Sequence, residues 1–339
     1  MIRKYENHSL LPYHTFGMDV KAAVFVEYSS VDELKQVLEQ EVRGKEKWLH
    51  IGGGSNLLFT GDYDGTILHS AIKGYEVLSD SEEEVLVRVG AGEVWDDFVA
   101  YAVDRDWYGA ENLSLIPGEV GASAVQNIGA YGMEAKDLIV KVEALEVATG
   151  KECTFLNMDC RYAYRESIFK KEWKGCYIIT HVTYRLTKRR VFHLEYGNVK
   201  DELAKQGCEP TLKKVREVII RIREAKLPDP KVQGNAGSFF MNPVIPRMQY
   251  ESLLAKYPEM PHYKVDEEWV KVPAAWMIDR CGWKGKQMGR AGVHNKQALV
   301  LVNCGGATGQ EIITLSQRIQ QSVFETFGIA IVPEVNFIS

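Results

Sequence analysis

Two glycine-rich segments carry residue types whose spacing could do chemistry. The first covers residues 52–56 and reads Gly-Gly-Gly-Ser-Asn, directly after a short predicted strand at 47–51. Glycines at such a place let backbone N–H groups approach a phosphate closely, and the serine and asparagine add donors. A tight turn from a strand into a loop would also use three glycines. By itself the segment leaves a phosphate site and a turn equally open.

The second glycine segment is longer and covers residues 114–132. It holds four glycines, several other small residues and a single charged residue, Glu119. Such a stretch of accessible backbone can wrap a pyrophosphate with N–H groups and needs few cations. Loops of this length without regular structure are usually functional or disordered, and the Ile, Val and Tyr content argues against disorder. We therefore predict a loop that binds a phosphate-bearing ligand.

The standard nucleotide-binding motifs fail at three places in the chain. A G-x-G-x-x-G motif that starts at Gly52 would need glycine where Leu57 stands, and one that starts at Gly90 would need glycine where Trp95 stands. A Walker loop that ends at Lys286 would need glycine where Arg280 stands. An ordinary Rossmann dinucleotide site and nucleoside triphosphate hydrolysis are therefore both unsupported.

Short strands and helices alternate in the first half of the chain. Hydrophobic periodicity predicts helices over 31–41 and 94–104, and strands over 47–51, 85–89, 140–148 and 177–186. We therefore expect an N-terminal α/β portion, with the first glycine segment at the end of a strand.

The pattern changes near residue 215. Apolar residues at helical spacing over 212–222 predict an amphipathic helix, which the prolines at 228 and 230 keep from continuing. The other predicted elements are helices over 274–280 and 310–327 and a buried strand over 297–303. A C-terminal α+β portion is therefore expected.

Length and composition narrow the class of protein. The chain has 339 residues, which suits about two domains. Its formal net charge of −5 argues against a generic binder of nucleic acid or of anionic membranes. No apolar run approaches the ~20 residues of a membrane helix. The first twenty residues also lack the apolar stretch of a signal peptide.

Six cysteines lie scattered along the chain, at positions 153, 160, 176, 208, 281 and 304. None forms a C-x-x-C pair, so neither a zinc site nor a dense disulfide framework is predicted, and no metal ligand is proposed. We expect core or idle thiols in a reducing cytoplasm.

Six motifs occur in one order along the chain. They are residues 52–56, 116–132, 164–169 (Tyr-Arg-Glu-Ser-Ile-Phe), 226–230 (Lys-Leu-Pro-Asp-Pro), 234–243 (Gly-Asn-Ala-Gly-Ser-Phe-Phe-Met-Asn-Pro) and 333–335 (Pro-Glu-Val). Each motif alone is weak, but six in order are specific, and together they span essentially the whole chain. In this set the sequence resembles the UDP-N-acetylenolpyruvoylglucosamine reductase family, the flavoenzymes of peptidoglycan precursor synthesis.

The resemblance implies an α+β fold with two functional parts. These are an FAD-binding domain of the vanillyl-alcohol-oxidase (PCMH) type in two subdomains and an α+β substrate-binding domain. The implied boundaries are 1–69 and 70–215 for the FAD subdomains, 216–324 for the substrate domain and 325–339 for a C-terminal strand returning to the active site. This fold holds a pyrophosphate with two loops of non-Rossmann design, which accounts for the failed motif tests.

The resemblance also implies that FAD is the cofactor and that the two glycine segments hold it. The implied FAD-binding residues are Gly52, Gly53, Gly54, Ser55, Asn56, Ile116, Pro117, Gly118, Gly121, Ala122, Ser123, Gln126, Asn127, Gly129, Ala130, Tyr131 and Gly132. Two positions depart from the family pattern. Ala124 stands where proline is often found, which predicts a slightly looser loop. His14 stands where asparagine is common, so the resemblance implies no cofactor contact for that side chain.

The implied substrate is UDP-N-acetylglucosamine enolpyruvate, and the implied reductant of the flavin is NADPH. Hydride goes to the β-carbon of an unsaturated carboxylate, negative charge builds on the carboxylate, and a proton reaches the α-carbon. The resemblance makes Arg165 the electrostatic stabiliser, since a guanidinium can hold a carboxylate bidentately. It places Glu334 at the same carboxylate and makes Ser238 the proton donor.

Each of these three residues also has an ordinary structural interpretation. Arg165 beside Glu166 could be a solvated surface pair. Ser238 could be a turn residue, and Glu334 could cap or pair with a terminal strand. Taken singly, each residue favours the ordinary interpretation, but the six ordered motifs reverse that preference.

The remaining implied contacts are with the substrate. They are made by Tyr164, Tyr196, Arg223, Lys226, Asn242 and Tyr263. Residues 221–231 carry a local excess of positive charge, which suits a diphosphate on a chain that is acidic overall. Tyr263 lies in a segment that closes over the nucleotide in one branch of the family. An exposed aromatic residue in a charged loop is the alternative interpretation.

Two other functions stay open from the sequence. One is a different flavin oxidoreductase or oxidase of the same fold, acting on another sugar or alcohol. Neither glycine segment contains His or Cys, which argues against the covalent flavin linkage of many such oxidases. The other is a non-catalytic protein that binds nucleotide sugars, against which the intact Arg165, Ser238 and Glu334 argue. A cytoplasmic monomer without nucleic-acid or membrane partners is the default expectation.

Overall fold

The computed structural model describes residues 1–196, 198–205, 207 and 209–339. This part of the chain forms two compact units. Unit 1 contains Met1–His8, Ala22–Gly53 and Asp64–Ala225, and unit 2 contains Ser9–Lys21, Gly54–Tyr63 and Lys226–Ser339. The chain therefore passes between the units several times. The domain boundaries implied by the family resemblance stay predictions.

Strands and helices alternate along most of the chain. The strands are β1 (Arg3–Ser9), β2 (Lys21–Tyr28), β3 (Trp48–Ile51), β4 (Leu57–Phe59), β5 (Tyr63–Ser70), β6 (Tyr75–Asp80), β7 (Glu84–Gly90), β8 (Gly129–Ala130), β9 (Met133–Glu134), β10 (Ile139–Glu146), β11 (Glu152–Leu156), β12 (Tyr177–Thr187), β13 (Asn235–Ser238), β14 (Val244–Pro246), β15 (Tyr263–Lys264), β16 (Trp269–Lys271), β17 (Gln287–Met288), β18 (Ala291–Val293), β19 (Val300–Asn303) and β20 (Asn336–Ile338). The helices are α1 (Val31–Val37), α2 (Trp95–Val103), α3 (Val120–Gln126), α4 (Val199–Ala204), α5 (Leu212–Lys226), α6 (Arg247–Leu254), α7 (Ala274–Arg280) and α8 (Gly309–Phe327).

A five-stranded sheet in the order β11-β10-β12-β7-β6 forms the larger layer of unit 1. Its strands pair antiparallel, with Val142 opposite Val182 and Val182 opposite Val89. One face of these strands packs with α2 and α3 in a core where Trp95 and Tyr184 are fully buried. This layer therefore supports α3, which lies inside the second glycine segment.

A second sheet of unit 1 has the order β1-β2-β5-β3, in which β3 and β5 are parallel. Helix α1 begins after Ser30, whose hydroxyl accepts a hydrogen bond from the Glu33 N–H. Its buried residues Leu34 and Val37 belong to the core beside this sheet. Strand β3 ends at Ile51, so the first glycine segment starts at the end of a strand, as predicted.

Unit 2 is built around the sheet β13-β19-β18-β17 and helix α8. The helix starts with reciprocal hydrogen bonds between Thr308 and Glu311 and ends at Gly328, whose φ is 65°. Strands β4 and β20 pair in parallel, with Leu57 opposite Asn336. This pairing brings the C-terminal end of the chain beside the end of the first glycine segment.

Most of the predicted elements are found within a few residues. The helices predicted over 94–104, 274–280 and 310–327 are α2, α7 and α8, and the amphipathic helix after 212 is α5. The helix predicted over 31–41 is α1 followed by a π turn at Leu38–Val42. Period-3.6 and period-2 patterns therefore located the elements well.

Three predictions about the elements are wrong. Residues 297–299 form a turn in which the Val300 N–H donates to the Gln297 carbonyl, so β19 begins three residues late. The second glycine segment is not a structureless loop, because α3 lies inside it. The N-terminal portion is α+β rather than α/β, because its larger sheet pairs antiparallel.

The structure also shows the character of the helices and the state of the cysteines. None of the helices in the described part of the chain combines the length and the apolar character that a bilayer crossing requires. The five cysteines that the structure describes are not disulfide-bonded, and Cys160 is buried in the core of unit 1. Cys208 lies outside the described residues.

Candidate active site

The two glycine segments meet in unit 1. A Cβ placed on Gly53 would lie 3.4 Å from the Gly118 Cα, and one on Gly52 would lie 3.1 Å from the Glu119 Oε2 and 3.7 Å from the Ala122 Cβ. Bare backbone at Gly52 and Gly53 therefore allows this close approach. The sequence predicted both segments as parts of one site, and the structure brings these members together.

The rest of the first glycine segment belongs to unit 2. Gly54 has φ 60°, and a Cβ there would overlap the Tyr13 carbonyl oxygen and lie 2.7 Å from the His14 Cα. Only glycine fits such a place. Ser55 is half-buried and Asn56 is buried. The Asn56 amide donates to the Glu334 carbonyl at 3.1 Å, so the side chain fixes the C-terminal segment.

His14 lies under the first glycine segment and is buried. Its Nε2 is 2.8 Å from the Met18 carbonyl, which can only accept, so Nε2 carries the hydrogen. Burial lowers the pKa of His14, with the Met18 bond acting against it. Its Nδ1 is buried and has no partner among the described residues. The substitution of histidine for asparagine therefore keeps a hydrogen-bond acceptor at this place.

The start of the second glycine segment is held by a partly buried ion pair. Leu115 has φ 57°, and its N–H donates to Asp96 of α2. Asp96 in turn accepts 2.7 and 2.9 Å hydrogen bonds from both Nη atoms of Arg216 on α5. Burial acts to raise the pKa of Asp96, but the bonds from Arg216 and Leu115 outweigh it and hold the pKa low. The half-buried Ile116 and exposed Pro117 follow directly.

Helix α3 fixes the middle of this segment. The Gly121 N–H donates to the Ala91 carbonyl at 2.8 Å, and a Cβ on Gly121 would lie 3.0 Å from the Ala91 Cβ. The Ser123 hydroxyl lies 2.7 Å from both the Val120 carbonyl and the Tyr184 hydroxyl and is fully buried. The Ser123 side chain is therefore committed to the core.

Helix α3 ends at Gln126, and Asn127 follows it with φ 46°. The Asn127 amide donates to the Ala163 carbonyl at 2.8 Å, and its Oδ1 accepts the Lys136 N–H at 3.0 Å. Asparagine tolerates this left-handed backbone and caps the helix. The side chain of Asn127 thus orients the segment rather than pointing to solvent, since it is fully buried.

Arg165 is placed against the last part of the second segment. Its backbone has φ 58°, and its guanidinium donates to the Gly129 carbonyl. A Cβ on Gly129 would lie 2.8 Å from both the Arg165 Nη1 and the Met133 carbonyl oxygen, and the backbone contact favours glycine there. The neighbouring ring of Tyr164 lies 5.3 Å from the guanidinium carbon. Arg165 is therefore a half-buried group that lies beside the segment.

Arg223 lies next to Tyr131 of the same segment. It carries a buried Nε without a hydrogen-bond partner among the described residues. Burial lowers the pKa of the Arg223 guanidinium, which Tyr131 and Asp96 oppose. Burial likewise raises the pKa of Tyr131, which Arg223 opposes. The exposed Tyr196 side chain packs beside Gly132, where a Cβ would lie 3.3 Å from the Tyr196 Cβ.

Ser238 and Glu334 are brought together in unit 2. Ser238 ends β13 opposite Val300 and is exposed. The Glu334 N–H donates 2.8 Å to the carbonyl of Phe239, the residue after Ser238. Phe239 is fully buried between Phe16 and Phe240. The backbone ladder therefore sets the spacing between the serine and the glutamate.

The other predicted substrate residues lie in several places. The Asn242 Oδ1 accepts the Ala274 N–H at 2.9 Å, which caps α7. Tyr263 lies in β15 opposite Lys271, whose ammonium is 5.7 Å from the ring centroid. Lys226 is exposed at the end of α5.

Several side chains that matter to this geometry were missed from the sequence. Asp96 and Arg216 hold the second segment, and His69 contacts Glu119 at its centre with 3.0 Å between Nε2 and Oε1. In the sequence, Asp96 was visible only as a carboxylate in the first turn of α2, and Arg216 only as a cation near the apolar face of α5. Neither signal distinguishes such residues from surface charges, because the partners are more than 40 positions apart.

A cofactor with a pyrophosphate fits the residues present. The backbones of the two glycine segments lie within about van der Waals distance at Gly53 and Gly118. Ala130 and Gly132, on either side of Tyr131, carry little or no side chain at the far end of the second segment. The buried Arg223 Nε is a donor without a partner in the described chain, which suits an anionic group. The donor set therefore matches a phosphate-bearing ligand.

Comparison with known proteins agrees with this geometry. Residues 22–155 match the family described as FAD binding domain, and residues 229–338 match the C-terminal domain of UDP-N-acetylenolpyruvoylglucosamine reductase. A solved structure of UDP-N-acetylenolpyruvylglucosamine reductase (MurB) from Thermus caldophilus superposes with a TM-score of 0.70 at 20% identity, covering 100% of this chain and 99% of that chain. The fold is therefore the predicted α+β fold.

Curated relatives are much more similar in sequence. The UDP-N-acetylenolpyruvoylglucosamine reductase of Bacteroides fragilis is 59% identical over 98% of this chain and 99% of the relative. Those of Flavobacterium johnsoniae and Pseudomonas aeruginosa are 50% and 45% identical, and each alignment covers 98% of both chains. These alignments confirm the resemblance carried by the six motifs. The chain thus belongs to the UDP-N-acetylenolpyruvoylglucosamine reductase family.

Proposed function

We propose that the protein reduces UDP-N-acetylglucosamine enolpyruvate to UDP-N-acetylmuramate with FAD and NADPH, in peptidoglycan precursor synthesis. The observation that carries this proposal is the group formed by Ser238, Glu334 and Asn56. Consecutive hydrogen bonds hold the three residues near one another, because the Glu334 N–H donates to the carbonyl of Phe239, next to Ser238, and the Asn56 amide donates to the Glu334 carbonyl. We infer the identity of the substrate and of the cofactor from membership of the reductase family.

The chain's own residues account for the acid–base and electrostatic parts of the reaction. The exposed Ser238 hydroxyl is proposed to give its proton to the substrate α-carbon. Arg165, a fixed cation, is proposed to hold the substrate carboxylate, and Glu334 to stand at the same carboxylate. When bound, FAD supplies the hydride, which it regains from NADPH.

The proposed FAD residues fall into two kinds. Gly52, Gly53, Gly118 and Gly129 act through bare backbone at close contacts, which the distances to their neighbours support. The side chains of Ser123 and Asn127 act indirectly, because their hydrogen bonds go to the protein. We propose that they hold the shape of the second segment and that backbone N–H groups meet the cofactor.

Arg223 is the best supported of the proposed substrate contacts. It has a buried Nε without a described partner, beside Tyr131. For Asn242, Tyr263, Tyr164, Tyr196 and Lys226 the support is the match to family positions. We further propose that the protein works in the cytoplasm as a monomer, and that the FAD and substrate domains divide near residue 215.

An absorbance titration in one cuvette tests the proposal. The purified protein should show a flavin spectrum, NADPH should bleach it, and the enolpyruvyl UDP-sugar should restore it. Folded protein that neither carries nor rebinds FAD would overturn the proposal. Rapid restoration by oxygen without the UDP-sugar would favour a flavin oxidase instead. Binding of the UDP-sugar without any bleaching by NADPH would favour a non-catalytic binding protein.

A further inference from the structure

Arg165 lies in a tight turn of unit 1. The Glu166 N–H donates to the Ala163 carbonyl at 3.0 Å, and the Ala163 N–H donates to the Glu166 carbonyl at 3.1 Å. Arg165 takes the third place of this turn with φ 58°, where glycine is usual. A non-glycine residue keeps such a conformation only when its surroundings fix it. We call residues 163–166 the Arg165 turn.

Three side chains join the Arg165 turn to the second glycine segment. The Ser167 hydroxyl donates at 2.6 Å to the carbonyl of Val125, in the last turn of α3, where carbonyls need partners from outside the helix. The Asn127 amide donates in the other direction, to the first carbonyl of the turn at 2.8 Å. The Arg165 guanidinium donates to the Gly129 carbonyl. Because these bonds come at alternate residues of the segment, the turn and the segment are held in one register.

The chain that follows the turn fixes it from the other side. Ser167 is 2% exposed, and its hydroxyl oxygen accepts the Lys170 N–H at 3.3 Å. The Lys170 ammonium donates back to the Arg165 carbonyl at 3.0 Å. Ile168 and Phe169, between Ser167 and Lys170, are buried in the core of unit 1. The left-handed backbone of Arg165 is therefore tied both to the glycine segment and to the core.

We propose that Ser167 and Lys170 are positioning residues, which hold the Arg165 turn against the second glycine segment and so place the guanidinium for the substrate carboxylate. This inference rests on the proposed function. Both residues act through Arg165. A guanidinium binds a carboxylate strongly in a narrow range of geometries, so a turn that moved freely would have to be ordered on binding, at a cost in affinity.

The cost should fall only on ligands that carry a carboxylate. UDP-N-acetylmuramate carries one, and UDP-N-acetylglucosamine is the same nucleotide sugar without it. With the FAD-loaded protein, Lys170→Met should weaken binding of UDP-N-acetylmuramate about tenfold and leave that of UDP-N-acetylglucosamine within about twofold. Isothermal titration calorimetry measures both. Equal weakening of the two ligands would show a general structural role and overturn the proposal.

Conservative replacement and a neighbouring lysine provide the controls. Lys170→Arg should restore UDP-N-acetylmuramate binding to within about threefold of wild type, because one carbonyl needs one donor and arginine supplies it. Lys171→Met is the matched control, since Lys171 pairs with Glu166 of the same turn at 2.7 Å, with side chains 56% and 35% exposed. It should bind both ligands like wild type. Equal losses in the Lys170→Met and Lys171→Met variants would contradict a specific role for Lys170.

A double-mutant cycle tests whether Lys170 acts through Arg165. In an Arg165→Lys background the guanidinium is already gone, so adding Lys170→Met should weaken UDP-N-acetylmuramate binding by less than about twofold. The same tenfold loss in both backgrounds would show that Lys170 acts independently of Arg165 and would remove the positioning role. Ser167→Ala should behave like Lys170→Met in this cycle. If Ser167→Ala does not fold, the half-buried Lys170 decides the proposal by itself.

The flavin signal separates this proposal from the proposed function. Each variant should keep its flavin spectrum and be bleached by NADPH at a rate within about twofold of wild type. Wild-type protein that carries no FAD, or whose flavin NADPH does not reduce, would overturn the proposed function. An active wild type whose Lys170 variants bind UDP-N-acetylmuramate normally would overturn only the positioning role.

Discussion

The two groups of proposed catalytic residues are held in place by different means. In unit 1, Arg165 stands on left-handed backbone with φ 58° and is fixed by its own guanidinium, which donates to the Gly129 carbonyl. In unit 2, Ser238 and Glu334 are fixed by backbone hydrogen bonds of short extended segments, and the Ser238 side chain stays exposed. The Arg165 guanidinium is thus placed by contacts of its own side chain, whereas the Ser238 hydroxyl is placed by backbone hydrogen bonds.

This difference teaches which changes each group tolerates. A group placed by its side chain fails when the side chain is replaced, even by one of equal charge. A residue that is held by backbone hydrogen bonds keeps its position when its side chain is replaced. It loses that position only when the backbone is disturbed. Substitutions can therefore separate chemistry from positioning in unit 2 more cleanly than in unit 1.

Ser238→Ala should give the largest effect. It removes the proposed proton donor without touching the ladder, so reoxidation of reduced flavin by the enolpyruvyl UDP-sugar should slow by about a hundredfold or more. Reduction of the flavin by NADPH should stay within about twofold of wild type. Stopped-flow absorbance measures both half-reactions. Ser252→Ala, on the exposed face of α6, is the control, and equal slowing of both half-reactions would contradict the donor role.

Gly54→Ala should destabilise unit 2. The new Cβ would meet the Tyr13 carbonyl and the His14 backbone at a φ of 60°, so unfolding free energy should fall by about 3 kcal/mol. Gly61→Ala is the matched control, because nothing lies within 4 Å of its Cβ position. Chemical denaturation measures both. A Gly54 variant as stable as the Gly61 variant would show that the close contact is not needed.

Arg165→Lys tests the side-chain placement in unit 1. The charge is kept, but the planar fork that can reach both the Gly129 carbonyl and a carboxylate is lost. We expect a rise in KM for the UDP-sugar of about tenfold, or about 1.4 kcal/mol. Arg161→Lys is the control, since Arg161 also has positive φ, 47°, but is exposed. An unchanged KM in both variants would remove Arg165 from the substrate carboxylate.

Asp96→Asn should have the smallest effect and a characteristic pH dependence. The Asp96 carboxylate has a lowered pKa, so its contribution to stability is present above the unfolded value of about 3.9 and is lost as the pH falls through the folded value. The variant should therefore unfold about 1 kcal/mol more easily near neutral pH and approach wild type in acid. Denaturation at several pH values measures this difference.

Asp104→Asn is the control for that experiment. Asp104 also joins α2 to α5, through Lys213 at 3.5 Å, but both side chains are more than 60% exposed. An exposed pair contributes little, so the change should stay within about 0.5 kcal/mol at every pH. If both variants behaved alike, the partly buried Asp96–Arg216 pair would not be what holds the second glycine segment to α5.

The sequence patterns predicted the positions of helices and strands better than they predicted contacts between side chains. Helix α8 was predicted nearly to the residue, because its apolar stripe, capping pair and terminal glycine agree. Helix α3 was missed, because Gly121, Ala122 and Ala124 give it little periodicity and its hydrogen bonds to Ala91 and Tyr184 come from distant strands. The family motifs named Arg165, Ser238 and Glu334, and these roles stay predictions.

The sequence by itself determined the family, the α+β class and the identity of the glycine segments, since these depend on residue types in order along the chain. Only the tertiary structure decided that Glu119 faces His69, that Asp96 ties Leu115 to Arg216, and that Glu334 joins Ser238 through Phe239. The physical reason is distance along the chain. Side chains that are tens or hundreds of residues apart come into contact only when the strands pair and the cores pack. Local sequence patterns do not predict such contacts.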